Sequence, residues 1–243
     1  MRMFLSSAIY FFSALFIKRE YDVIFYYPQH FNRGINCENE YFQHLINSCK
    51  NNNITYIVFE ETDSSSNYKR NNLAKPFDFI FYLILLLRKL IFLDVNVIKK
   101  DKMIGLFLYR IIFRRILFKN LITISQSMVN VFRGINKNAT IFDVQHGILH
   151  PNKENYLMNR IPADNLIKNN INLLISGKAY HQILIANDST SFFCNQSFVI
   201  GGHLSVQESK HHEFNNNILV TLQFTYDHTD EENRSLLKSL DQL

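Results

Sequence analysis

Hydrophobic and polar positions follow two distinct periods along this chain. Tyr21–Pro28, Ile54–Glu61, Leu121–Ser125, Ala139–Val144, Ile171–Gly177 and Ser197–Gly202 are short, nearly continuous apolar runs rich in β-branched and aromatic residues. Runs of this kind predict strands buried on both faces, as in a parallel sheet. Between them the spacing changes to a helical one. Tyr41, Leu45, Ile46 and Cys49 repeat at three- and four-residue intervals within Cys37–Asn51, and Gln126–Asn136 and Lys178–Asn187 behave similarly. A strand, a polar loop, a helix and a second strand between Tyr21 and Glu61 make one βαβ unit. The continued alternation predicts an α/β fold, a Rossmann-like doubly wound and mostly parallel sheet with right-handed crossovers.

Three segments leave their partner open. Met3–Ile17 is apolar between Arg2 and Lys18-Arg19. It is shorter than the about 20 residues a membrane-spanning helix needs. A basic pair follows it instead of a small-residue cleavage site, which favours an uncleaved helix over a signal peptide. Phe77–Leu93 is nearly all apolar and reads as a buried helix or as half of a membrane-embedded hairpin. In Ile104–Lys119, Arg110, Arg114, Arg115 and Lys119 recur among Leu, Ile and Phe. That pattern predicts a basic amphipathic helix, which rests either on the sheet or on an anionic membrane surface.

Residues 204–217 are polar and patternless, a linker. Ile218–Gln223 and Glu231–Leu240 then read as one fresh strand and one helix, too little to bury a core alone. They either join the first sheet or begin a second α/β domain. The expected organisation is therefore a Rossmann-like domain over 1–203, a linker over 204–217 and the beginning of a truncated second domain over 218–243.

Composition narrows the function. The 22 Phe residues, the absence of Trp and the abundance of Asn, Ile and Lys match an AT-rich genome rather than a particular chemistry. A net charge of +5 and a pI near 9.0 are modest, and no nucleic-acid-binding signature accompanies them. The three cysteines, Cys37, Cys49 and Cys194, form no C-x-x-C pair, which argues against a zinc site or disulfide framework and for a reducing compartment. No G-x-G-x-x-G, P-loop or G-x-S-x-G element is present, so dinucleotide binding and that type of hydrolase chemistry are disfavoured.

Candidate chemistry concentrates at Gln145-His146-Gly147, where the strand ending at Val144 stops abruptly. In open α/β sheets ligands bind at the carboxyl ends of the strands, so an imidazole stands where this architecture places its chemistry. His146 is either a reactive group or a hydrogen-bonded residue capping the turn. Glu60-Glu61 ends another strand at the same edge and offers a carboxylate base in its place. A metal site from His146, His150 and His203 would require three loops to converge, and none is expected.

Taken together, the Rossmann-like domain ending in Ile200-Gly-Gly-His203, the linker and Asn217–Phe224 resemble the middle of a two-domain GT-B glycosyltransferase. More narrowly, His30-Phe-Asn-Arg-Gly34 and Asp143-Val-Gln-His-Gly147 resemble bacterial enzymes of capsule and surface-polysaccharide synthesis. The resemblance implies sugar transfer from a nucleotide-sugar, the co-substrate, to a glycan or lipid-linked acceptor, with no metal and no further cofactor. His146 would deprotonate the acceptor hydroxyl, a role suited to an ordinary pKa near 6.5. Gln145 and Gly147 would shape the turn, and Asn32, Arg33 and Gly34 would line the cleft. Glu60 would be a further substrate contact, and Gly201 and Gly202 would permit the domain crossing. The expected location is the cytoplasm, with docking on the inner face of the plasma membrane through Ile104–Lys119. With most of a donor-side domain missing, the chain would work with a partner or lack activity. The competing expectation is a non-enzymatic membrane-surface or partner-binding α/β domain in polysaccharide assembly.

Overall fold

The computed structural model describes residues 2–34, 37–63, 69–91, 96–151 and 153–200. The expected linker and second domain, and with them Gly201, Gly202 and His203, lie outside the described residues. Within them the fold is α/β, as the alternation predicts. Seven strands form one wholly parallel sheet: β1 (Arg19–Pro28), β2 (Tyr56–Glu61), β3 (Lys75–Pro76), β4 (Ile116–Ile124), β5 (Thr140–Val144), β8 (Ile171–Ile175) and β9 (Ser197–Val199). The spatial order is β3-β2-β1-β4-β5-β8-β9. It is the Rossmann order, extended by one strand, and its topological switch point falls between β1 and β4. A two-stranded antiparallel ribbon, β6 (Leu157–Met158) with β7 (Ile161–Pro162), sits in the connection from β5 to β8.

Side-chain alternation along each strand feeds two cores. Ile24, Tyr26, Phe59, Leu121, Ile141 and Leu173 point into the larger one. It is covered by α1 (Arg2–Ser13), α3 (Asp78–Leu90), α4 (Val97–Ile111) and α5 (Val129–Ile135), with the short helices α6 (Asp164–Asn169), α7 (Lys178–Asn187) and α8 (Phe192–Gln196). Val23, Phe25, Tyr27, Val58, Ile124 and Val144 point the other way, against Phe42 and Cys49 of α2 (Glu40–Asn51). Phe supplies much of the larger core: Phe11 stacks on Phe59 with ring centroids 5.5 Å apart, and Phe77 on Phe132 at 5.7 Å.

One expectation narrows to the buried-helix alternative, and one changes. Phe77–Leu93 contains a helix, α3, that rests on the core through Ile80 and Ile84. No helix among the described residues is long and apolar enough to cross a membrane. The expected helix Ile104–Lys119 is really three elements. The helix α4 ends at Ile111, a 3-10 turn spans Phe113–Arg115, and Ile116–Lys119 begin β4. The burial of Ile116 and Phe118 against the exposure of Leu117 and Lys119 is a strand's period of two. Pairing of Arg19, Glu20 and Tyr21 with Ile116, Leu117 and Phe118 fixes it there.

The α4–α5 crossing depends on two glycines. A Cβ at Gly105 would lie 2.0 Å from the Val131 carbonyl oxygen, and one at Gly134 would lie 2.2 Å from that of Lys102. Only hydrogen at both positions lets the two backbones approach this closely.

Candidate functional site

The carboxyl edge of the sheet gathers the titratable side chains. The segment after β1 carries His30, Phe31 and Asn32; the turn after β4 is Ser125–Met128; Gln145 and His146 follow β5. The β1 and β5 segments meet across the end of β4, because Phe31 packs edge-on against the His146 ring with centroids 5.4 Å apart. They therefore straddle the switch point. The turn between them is forced: Ser125, Gln126 and Met128 all have left-handed backbone, with φ of 63°, 52° and 53°. Non-glycine residues in that region cost energy and cluster at functional sites.

Gln145 is buried and clamps the turn. Its Nε2 donates to the Gly147 carbonyl at 2.7 Å, while its Oε1 accepts from the backbone N–H and the hydroxyl of Ser176, both at 3.0 Å. This ties the end of β5 to the end of β8 and fixes where the next residue, His146, sits. Gly147 is not sterically required: a Cβ there would meet nothing within 4 Å. Tyr41 of α2 donates to the His146 carbonyl at 3.2 Å, anchoring the turn from the other layer. Burial lowers the His146 pKa below its ordinary value, and the electrostatic influence of Lys153, His30 and Arg33 adds to this; the Val144 carbonyl opposes it and is outweighed. The ring is held neutral in a cationic neighbourhood. Its Nδ1 is buried and has no hydrogen-bond partner among the described residues.

A second imidazole shares this edge. His30 Nδ1 lies 2.7 Å from Asp63 Oδ2, and the histidine side chain is 41% exposed. A carboxylate on one ring nitrogen orients the ring and leaves the other nitrogen for a ligand. Nothing in the sequence marks this pair, whose members are 33 residues apart. The turns after β1 and β2 bring them together.

The two carboxylates ending β2 point to opposite faces and are both engaged. Glu61 accepts from the Tyr26 hydroxyl, and from Ser127 Oγ at 2.9 Å. Burial raises its pKa, against the pull of these two donors. Glu60 is 1% exposed. One of its oxygens accepts from Asn32 Nδ2 at 2.7 Å and from the Asn71 N–H at 2.9 Å; the other faces Arg70 Nε at 3.4 Å. Burial raises its pKa as well. Glu60 thus organises the loops from inside. Asn32 is also buried, and its Oδ1 has no partner among the described residues. Arg33 is exposed at the rim, with its Nε 3.3 Å from the His30 carbonyl. Gly34 is needed by close approach, since a Cβ there would lie 2.9 Å from the Glu38 carbonyl oxygen.

Behind the edge, Asp143 is fully buried, accepting from the Gln126 N–H at 3.0 Å and the Tyr156 hydroxyl at 3.4 Å. Burial outweighs these donors and pushes its pKa up to about 7. It braces the strained β4–α5 turn.

No group of three or more His, Cys, Asp or Glu side chains among the described residues could hold a metal ion. A cavity of about 520 Å³ lies at the opposite end of the sheet between α4, α5 and the start of β4. Arg133, one of its basic lining residues, is already spent on the Lys137, Ala139 and Asn169 carbonyls. Comparison with family models, curated proteins and solved structures finds no match to this chain.

Proposed function

We propose that this chain is the acceptor-side part of a glycosyltransferase that passes a sugar from a nucleotide-sugar to a surface-polysaccharide acceptor. The observation that carries the reading is the pair of imidazoles, His30 and His146, on either side of the switch point of a Rossmann-ordered parallel sheet. In such sheets that crevice is where ligands bind. The basic groups Arg33, Lys153 and His30 around it suit an anionic, phosphate-bearing substrate. Buried atoms without partners, Asn32 Oδ1 and His146 Nδ1, are consistent with polar contacts completed by a ligand.

Direct displacement at the sugar carbon needs a base for the acceptor hydroxyl. His146 remains one candidate, being neutral at physiological pH. We assign the role to His30, whose ring is 41% exposed and oriented by Asp63 Oδ2 at 2.7 Å from Nδ1, which leaves the other ring nitrogen for the acceptor proton. His146 then binds the acceptor as a neutral hydrogen-bonding group.

The test is sugar transfer by the full chain, alone and with co-expressed partner proteins, across a panel of nucleotide-sugars and lipid-linked acceptors. Loss of a general base lowers turnover by about 10²–10⁴-fold. His30→Ala should show that loss in kcat and His146→Ala a larger effect on the acceptor KM. The reverse pattern returns the base to His146, and unchanged turnover in both variants, or no transfer from any donor, defeats the proposal.

A further inference from the structure

The outer faces of α1, α3 and α4 are apolar. Along α1 the residues Leu5, Ile9, Phe12 and Phe16 repeat at intervals of four, three and four, running into the turn after the helix, and are 60%, 61%, 53% and 80% exposed. Opposite them Ala8, Phe11 and Ala14 are buried against the sheet. In α3 the corresponding outward row is Tyr82, Leu86 and Leu90; in α4 it is Met103, Leu106 and Phe107. The helices are neighbours on one face of the sheet: Phe4 and Phe12 of α1 pack on Phe79 of α3, and Arg88 of α3 pairs with Asp101 of α4 at 2.6 Å. Three adjacent helices each expose an apolar row, where surface hydrophobics ordinarily stand singly.

Within these three helices the exposed charge has one sign. The only acids in the three helices are Asp78 and Asp101; both are buried, and both are paired with arginines, Arg70 and Arg88. The cations Lys89, Lys99 and Arg110 are exposed. Where the end of α1 meets the turn after α4, Arg110, Arg114 and Arg115 line a cavity of about 260 Å³ with Ala14, Leu15 and Ile111. None of the three forms an ion pair among the described residues. Arg115 donates to the Phe16 carbonyl at 3.4 Å, so the cationic cavity and the most exposed aromatic side chain are one unit.

We infer that the α1–α3–α4 face docks on an anionic phospholipid bilayer, with the apolar rows entering the headgroup boundary and Arg110, Arg114 and Arg115 holding a lipid phosphate. The apolar area supplies the hydrophobic part of the binding and the arginines the electrostatic part. A second copy of the chain is the poorer occupant, since it would bring the same positive charges against these. The docking surface is thus three helices and a turn, wider than the single segment Ile104–Lys119, and it stands independently of the proposed transferase activity.

The test is sedimentation of the full chain with vesicles of phosphatidylcholine alone and of phosphatidylcholine with 30% phosphatidylglycerol, in ~0.05 M and ~0.5 M salt. The expected result is pelleting with the anionic vesicles at low salt and little with the neutral ones. Each basic residue near an anionic surface contributes a factor of about five, so Arg110→Ala with Arg114→Ala should lower the partition coefficient about 25-fold. Phe16→Ser should lower it at unchanged salt dependence. Circular dichroism of these surface variants should match the parent chain. Absence of pelleting by the parent chain overturns the inference. So does equal pelleting of the double arginine variant, or a stable dimer in solution that Phe16→Ser dissociates.

Discussion

Alanine at Gly134 separates two effects of opposite sign. Within a helix, Gly→Ala ordinarily stabilises by up to about 1 kcal/mol, because it removes backbone freedom from the unfolded chain. Here the new Cβ would lie 2.2 Å from the Lys102 carbonyl oxygen and 2.9 Å from the Gly105 Cα, both backbone atoms of α4. Contacts between such atoms are comfortable only near about 3.5 Å, so α5 must retreat from α4 by roughly 1 Å. That withdraws Val131 and Ile135 of α5 from Ile104 and Leu108 of α4, all four now buried in the larger core. Overpacking of this kind costs about 1–3 kcal/mol, and with no flexible side chain to yield we expect the upper part of that range, which outweighs the propensity gain. The net loss of about 1–2 kcal/mol lowers the midpoint of thermal unfolding by roughly 2–8 °C in a domain of this size. Circular dichroism during heating and in urea measures it. Gly147→Ala and Gly177→Ala are the controls: a Cβ at either meets nothing within 4 Å, so both should stay within about 0.5 kcal/mol of the parent. A Gly134→Ala chain that melts at or above the parent temperature would refute the close-approach argument.

Glu60→Ala leaves Arg70 and the Asn32 and Asn71 donors facing a buried gap and should cost about 3–5 kcal/mol in urea unfolding. Glu60→Gln retains an acceptor oxygen for both asparagines and should cost markedly less; equal losses would mean that the internal network is not what Glu60 supplies. Asp143 keeps its proton up to about pH 7 in the folded chain but only to its ordinary 3.8 when unfolded. Its contribution to stability is therefore full below pH 4 and is lost as pH rises through 7. Asp143→Asn should flatten that part of the stability–pH curve, and parallel curves for the two proteins between pH 4.5 and 8 would contradict the burial argument. The His146 ring should titrate below its ordinary 6.5 by NMR, and Lys153→Ala should move the midpoint upward; a midpoint at or above 6.5 would place the ring in water.

The sheet was readable because a strand buried on both faces has a local signature. Six apolar runs predicted from the sequence correspond to β1, β2, β4, β5, β8 and β9, with ends displaced by a few residues. The two-residue strands β3, β6 and β7 carry too few positions to show any period. The start of β4 reads as helix in the sequence because Ile116-Leu-Phe-Lys119 follows α4 without a glycine or proline, and three- and four-residue intervals continue through it. Its strand character comes from hydrogen bonding to Arg19–Tyr21, almost 100 residues earlier. In the site, Gln145 and His146 were legible because they end a recognisable strand. The His30–Asp63 pair was not, since neither residue has a distinctive neighbourhood and their contact exists only after β1 and β2 pair. Glu60 and Glu61 look alike in sequence, but the strand's two-residue period sends one into each layer, and only the packing there decides that Glu60 is sealed.

The sequence by itself determined the parallel α/β architecture and the placing of an imidazole at a strand's carboxyl end, because burial period and strand termination are properties of neighbouring residues. The tertiary structure alone decided the strand order β3-β2-β1-β4-β5-β8-β9 and hence the switch point. It also decided the partners of Glu60, His30 and Asp143, and the alignment of three apolar helix faces on one side. Those depend on which distant segments pack together, and the free energy that selects them comes from contacts that no local pattern encodes.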